Sequence, residues 1–68
     1  MKPNGAAIRA LRRAERCGLR ELERRTGLDR GYLSRLERGT RGASLSTLLC
    51  IAHALNVDPN AITREDGQ

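Results

Sequence analysis

Aromatic side chains are almost absent from these 68 residues: there is no Trp and no Phe, and Tyr32 stands alone. Binding of single-stranded RNA or DNA by stacking needs several aromatic platforms, so ribonucleoprotein-type and oligonucleotide-barrel domains are excluded and duplex DNA is the better target. Long apolar runs are missing too. None approaches the roughly twenty residues needed to cross a bilayer, and the opening MKPNGAA lacks the charged-then-apolar order of a secretory signal, so a cytoplasmic protein with no membrane partner is expected. Cysteine is scarce: Cys17 and Cys50 are too far apart to hold a metal with His53 at any usual ligand spacing, and a reducing compartment disfavours a disulfide. His53 has no carboxylate at helical spacing that would suggest acid–base chemistry, so a polar residue on an exposed helix face is the preferred reading. No enzyme, cofactor or metal site is expected. Val, Ile and Thr are sparse and nowhere alternate with polar residues, so no strand is predicted either.

Lysine is nearly missing, but basic charge is not. Lys2 is the only lysine, and the other twelve of the thirteen basic residues are Arg, for a net charge of +5. Guanidinium forks match phosphate and guanine, although a G+C-rich genome would give the same bias. Residues 1–41 hold twelve basic against five acidic side chains, a balance of +7, while residues 42–68 sum to −2. The first part is therefore expected to face a polyanion and the second to pack, close or pair the fold, although a solvated arginine-rich surface fits the charge alone equally well. A chain this short makes one domain with little room for catalysis.

Apolar spacing and breakers predict five short helices. The first runs from about Gly5 to Arg16 with Ile8 and Leu11 inward. A second begins near Gly18 or Leu19 and ends at Thr26, with Leu22 inward and Gly27 at the left-handed position that closes a helix cheaply. Leu28 plugs the turn, Asp29 caps a third helix with Leu33 and Leu36 as its core residues, and Gly39 stops it. Ser44 caps a fourth, whose Leu45, Leu48, Ile51, Ala52 and Leu55 make the longest apolar stripe. Asp58-Pro59 is a cap followed by proline at a first helical position, so a last short helix carries Ala61 and Ile62 before a polar tail.

The segment LERRTGLDRGYLSRLERG, Leu22 to Gly39, thus reads as two short helices joined by a glycine turn, with arginines lining the second. With Ile8, Leu11, Arg12 and the following SLSTLLCIAHALNVDP, it resembles the Cro and Xre-type phage repressor family over about residues 6–62. The resemblance implies an all-α, compact five-helix, lambda-repressor-like domain (6–63) after a short arm (1–5) and before a tail (64–68). In such a domain helix two lies across the phosphate backbone and helix three enters the major groove, where each base pair shows a distinct donor and acceptor pattern.

Mapped onto this chain, the family's base-reading positions fall on Arg30, Gly31 and Arg35, with Tyr32 and Ser34 beside them. Phosphate contacts fall on Arg20, Arg38, Thr40 and Arg41, each also explicable as a solvated surface residue. Arg12 and Glu37 match an arginine of helix one paired to a glutamate at the end of helix three, either a buried structural pair or a weak surface one. Cys17 matches a buried leucine; Leu49, Cys50 and His53 are candidates for a subunit contact.

Two departures stand out. Leu19 replaces a hydrogen-bonding residue, leaving Arg20 to take over a phosphate. Glu23 replaces a small residue at the helix–helix approach and either bends out to solvent with its stem packed or, the preferred expectation, pairs with a neighbouring arginine.

The implied function is a sequence-specific, double-stranded-DNA-binding transcriptional regulator of phage or bacterial type, a small repressor acting in the bacterial cytoplasm. Its partner would be a palindromic operator bound by a homodimer formed at least on DNA, paired around Val57 to Pro59 and Ala61–Ile62. Two alternatives stay open: an antitoxin-type autoregulator that binds a toxin protein, and a protein-interaction module without a DNA role, suggested by Leu19 and Gly31.

Overall fold

The computed structural model describes residues 2–64. Four α-helices form as local sequence dictates: α1 (Gly5–Ala14), α2 (Leu19–Thr26), α3 (Arg30–Arg38) and α4 (Leu45–Leu55). Three of them start at a side-chain cap, where Asn4, Asp29 and Ser44 accept from the amides of Ala7, Tyr32 and Thr47. Gly27 and Gly39 end α2 and α3 at φ of 76° and 79°, a conformation that glycine adopts without a Cβ clash.

The first helix stops two residues earlier than its periodicity predicts. Arg16 takes the left-handed conformation (φ 55°), and its amide and that of Cys17 return to the carbonyls of Arg13 and Arg12. The reversal sends Cys17 into the core, where it is buried.

A fifth α-helix does not form. Pro59–Ile62 is a single 3-10 turn capped by Asp58, because Ile62 must enter the core while its carbonyl accepts from the Asn4 amide at 2.8 Å. That bond leads into two short antiparallel strands, β1 (Lys2–Pro3) and β2 (Thr63–Arg64), where the sequence predicted none. Two-residue strands are too short to carry an alternation, which is why the pattern missed them. The first two residues described are thereby tied to the last two; of the expected polar tail, residues 65–68 lie outside the described residues.

The core is one cluster of Ile8, Cys17, Leu22, Leu33, Leu36, Leu48, Ile51, Ala52, Leu55 and Ile62. Leu45, expected in the buried stripe of α4, is 56% exposed at the first position of that helix, and the buried stripe begins at Leu48. Ile62, expected at a subunit contact, is instead fully buried and only its neighbour Ala61 is exposed. Among the described residues no helix is long and apolar enough to cross a membrane.

Candidate nucleic-acid interface

The turn between α2 and α3 is fixed by side chains that reach backbone groups. Thr26 donates its hydroxyl to the Leu22 carbonyl and accepts from the Leu28 amide, and the Gly27 amide returns to the Glu23 carbonyl. Leu28 is half-buried against the core.

At the start of α3 two carboxylates serve free amides: Asp29 accepts from Tyr32 N at 3.1 Å and Glu23 from Arg30 N at 3.0 Å. Glu23 thus corrects the sequence expectation, since its partner is a main-chain amide and not an arginine side chain. The reason is geometric: the glutamate sits beside the positive end of the next helix, where amides lacking intrahelical partners favour a carboxylate. Arginine is so abundant nearby that sequence alone pointed to the wrong partner.

Leu33 and Leu36 turn inward, so helical spacing puts Gly31, Ser34, Arg35 and Arg38 on the outward face of α3, with Arg30 at its exposed start. Gly31 is half-buried beneath its neighbours: a Cβ there would lie 3.0 Å from the Asp29 carboxylate and 3.5 Å from the Arg35 guanidinium. Among the described residues neither Arg30 nor Arg35 is in an ion pair. Tyr32 is half-buried; its hydroxyl donates to the Gly42 carbonyl at 3.1 Å, and the Arg41 guanidinium lies 5.7 Å from its ring centroid. Arg20, Thr40 and Arg41 are exposed.

Arg12 and Glu37 join α1 to the end of α3. The guanidinium donates to both carboxylate oxygens, Nε to Oε2 at 2.7 Å and Nη2 to Oε1 at 2.9 Å, and its Nη1 donates to the Cys17 carbonyl at 2.9 Å. Their side chains are only 10% and 5% exposed. The hydrogen bonds from Arg12 to Glu37 hold the guanidinium's pKa above its ordinary value against the opposing effect of burial. A second closure is steric. A Cβ on Gly5 would meet the Leu36 carbonyl oxygen and lie 2.6 Å from that of Glu37, so the first turn of α1 touches the last turn of α3 backbone to backbone.

Sequence reasoning missed Arg9. It lies in the shallow groove that Ser34, Glu37 and Arg38 share with Arg12 and Leu19. Its position three residues before Arg12 was the available signal, because i and i+3 share a helix face. Away from this face, Arg25 donates to Glu21 and to the Ala54 carbonyl, fastening α2 to the end of α4.

The helix-turn-helix family pattern matches residues 8–62. The immunity repressor of Bacillus phage phi105 is 36% identical over 62 residues, covering 91% of this chain and 43% of that protein. The restriction-modification controller protein C.AhdI of Aeromonas hydrophila is 38% identical with a TM-score of 0.81, over 84% of this chain and 86% of that one. The biofilm regulator SinR, solved in complex with DNA, is 28% identical with a TM-score of 0.78, over 82% and 90%. The chain belongs to the helix-turn-helix family. DNA-binding transcription regulation is the function this membership carries for the domain. Against the curated relatives it matches, the chain spans only 26% to 43% of their length.

Proposed function

We propose that this domain is the operator-reading part of a repressor, with α3 in the major groove and Arg30 and Arg35 reading guanines. The observation that carries this is the outward face of α3: two exposed guanidiniums outside any described ion pair, separated by a glycine that lets the helix backbone come close to the base edges. Arginine matches guanine O6 and N7 bidentately, and Gly31 suits close approach or a thymine methyl. Ser34 stands on the same face. Tyr32 contributes by holding the loop after α3 through Gly42 and by backing Arg41, which with Arg20, Arg38 and Thr40 meets phosphates and sets the docking angle.

The operator is a palindrome occupied by two copies of the chain, with half-sites about 34 Å apart. Leu49, Cys50 and His53, all exposed on α4, offer a surface for contact between the copies.

Selection of bound sequences from a random duplex pool tests the reading. A palindromic consensus containing guanines is expected, and Arg30→Ala or Arg35→Ala should each relax one base pair per half-site at a loss of about 1–3 kcal/mol. Equal weakening on all sequences would reassign the arginine to phosphate, and absence of any enrichment would refute operator reading.

A further inference from the structure

Distant parts of the chain close on one cleft beside the end of the recognition helix. Its volume is about 370 Å³, and its walls are Lys2, Pro3, Arg64 and the turn from Gly39 to Gly42. Among the described residues of the wall, Lys2, Arg41 and Arg64 are cations and none is an acid. The strand register sets Lys2 directly opposite Arg64. Like charges across a strand pair destabilise it, and a ladder of two residues has little to oppose that repulsion. An anion held between the two would reverse the sign of the interaction.

The surroundings also suit an anion. The end of a helix ordinarily presents carbonyls that repel one. Here the Arg35 carbonyl accepts from both the amide and the hydroxyl of Thr40, and that of Leu36 accepts from the Gly39 amide. The Gly42 carbonyl is engaged by the Tyr32 hydroxyl. Arg41 is steadied by the same Tyr32 ring.

We propose that Lys2 and Arg64, brought together by the strand pair, form with Arg41 a clamp for the phosphodiester backbone of duplex DNA beyond the end of the recognition helix. The proposal rests on reading α3 as the DNA-reading helix and extends its contact to both ends of the fold. Phosphate contacts carry no sequence information, so the clamp acts on affinity and orientation alone.

Binding of a random-sequence duplex is followed against salt for the wild type, for Lys2→Gln/Arg64→Gln, and for a charge-matched control, Arg13→Gln/Arg24→Gln, whose residues lie outside the cleft. Each neutralised phosphate contributes about 0.9 to the slope of log K against log salt, so the cleft variant should lower the slope by about 1 to 2. The control should keep the wild-type slope, and the cleft variant should select the wild-type consensus. Without DNA, the cleft variant should melt at or above the wild-type temperature, because a repulsion has been removed; a lower Tm overturns the electrostatic argument. Lys2→Arg/Arg64→Lys keeps both charges and must keep the slope. An unchanged slope in the cleft variant, or an equal fall in the control, overturns the clamp. Wild-type binding that ignores salt overturns instead the reading of α3 as a DNA-binding helix.

Discussion

Replacing Glu37 by leucine strands the Arg12 guanidinium in a site where it is 10% exposed, with one of its three hydrogen bonds left, the one to the Cys17 carbonyl. Removing one partner of a buried ion pair costs about 3–5 kcal/mol, because the remaining charge stays desolvated. Arg12→Met should fall at the lower end, about 3 kcal/mol, since a lone carboxylate can take up a proton. The double variant replaces the pair by apolar groups of similar volume, which is near neutral apart from the orphaned Cys17 carbonyl at about 1–3 kcal/mol. The coupling energy from the cycle is therefore expected to be at least about 3 kcal/mol. A chain of this length has about 3–10 kcal/mol of stability in total, so the single variants approach global unfolding. Urea titrations should be run in sulfate, which strengthens burial and keeps weak variants folded, alongside melting, where each kcal/mol shifts Tm by about 4–8 °C. Single losses below about 1 kcal/mol with a coupling near zero would mark a surface pair and refute the reasoning.

Gly5→Ala should destabilise the fold and weaken duplex binding together: the helix-propensity gain of about 1 kcal/mol is outweighed by overpacking of about 1–3 kcal/mol or more, since the atoms it meets are backbone of α3. A Tm at or above wild type would show that α1 can move away freely. Glu23→Ala should lose about 1 kcal/mol in urea titration through the lost bond to the Arg30 amide, with Glu23→Gln losing less; a stabilised Glu23→Ala would show that small-residue packing outweighs the cap. Hydrogen bonds from Arg24 and then Arg25 hold the Glu21 carboxyl below its usual range. The folded-state pKa being the lower one, its stabilisation is present above the unfolded value near about 4.3 and fades as pH falls through the folded one. The difference in Tm between wild type and Glu21→Gln should accordingly shrink in acid and with added salt, and a difference that is constant from neutral pH into acid would contradict it.

What could be read from the sequence was what is decided locally. Gly27, Asp29, Gly39 and Ser44 each do their work within a few residues, by left-handed geometry or by capping an amide three positions ahead, so α2, the turn, α3 and the start of α4 were legible. What escaped depends on partners distant in the chain or on a residue of the wrong type. Arg16 closes α1 in a conformation that usually announces itself by glycine. The strand pair exists because Ile62 docks in the core and its carbonyl meets Asn4, a closure across almost the whole chain. Gly5 looked like an ordinary helix start, and only the approach of α3 gives its missing Cβ a purpose. The outward arginines of α3 were legible by spacing, whereas the join of Lys2 to Arg64 was not, because no periodicity links them.

Helix α3 is held by its ends, and on the proposed reading that follows from what it must leave free. Its inward face gives Leu33 and Leu36 to the core, and an outward face that is to read DNA has to stay available, so polar fixation falls to the termini. At the start, Glu23 from α2 and Asp29 satisfy amides that would otherwise need water. At the end, the Arg12–Glu37 bonds and the Gly5 contact tie it to α1, while Thr40 and Tyr32 close the loop beyond. Bidentate pairing of arginine to a base tolerates little misplacement, so a shift of α3 by a fraction of an ångström would alter base reading before it unfolded the domain. Changes at the two ends should therefore reduce discrimination among sequences at temperatures where the protein is still folded, whereas a change at the buried Leu55 of α4, outside the proposed contact between copies, should alter Tm and leave the consensus intact.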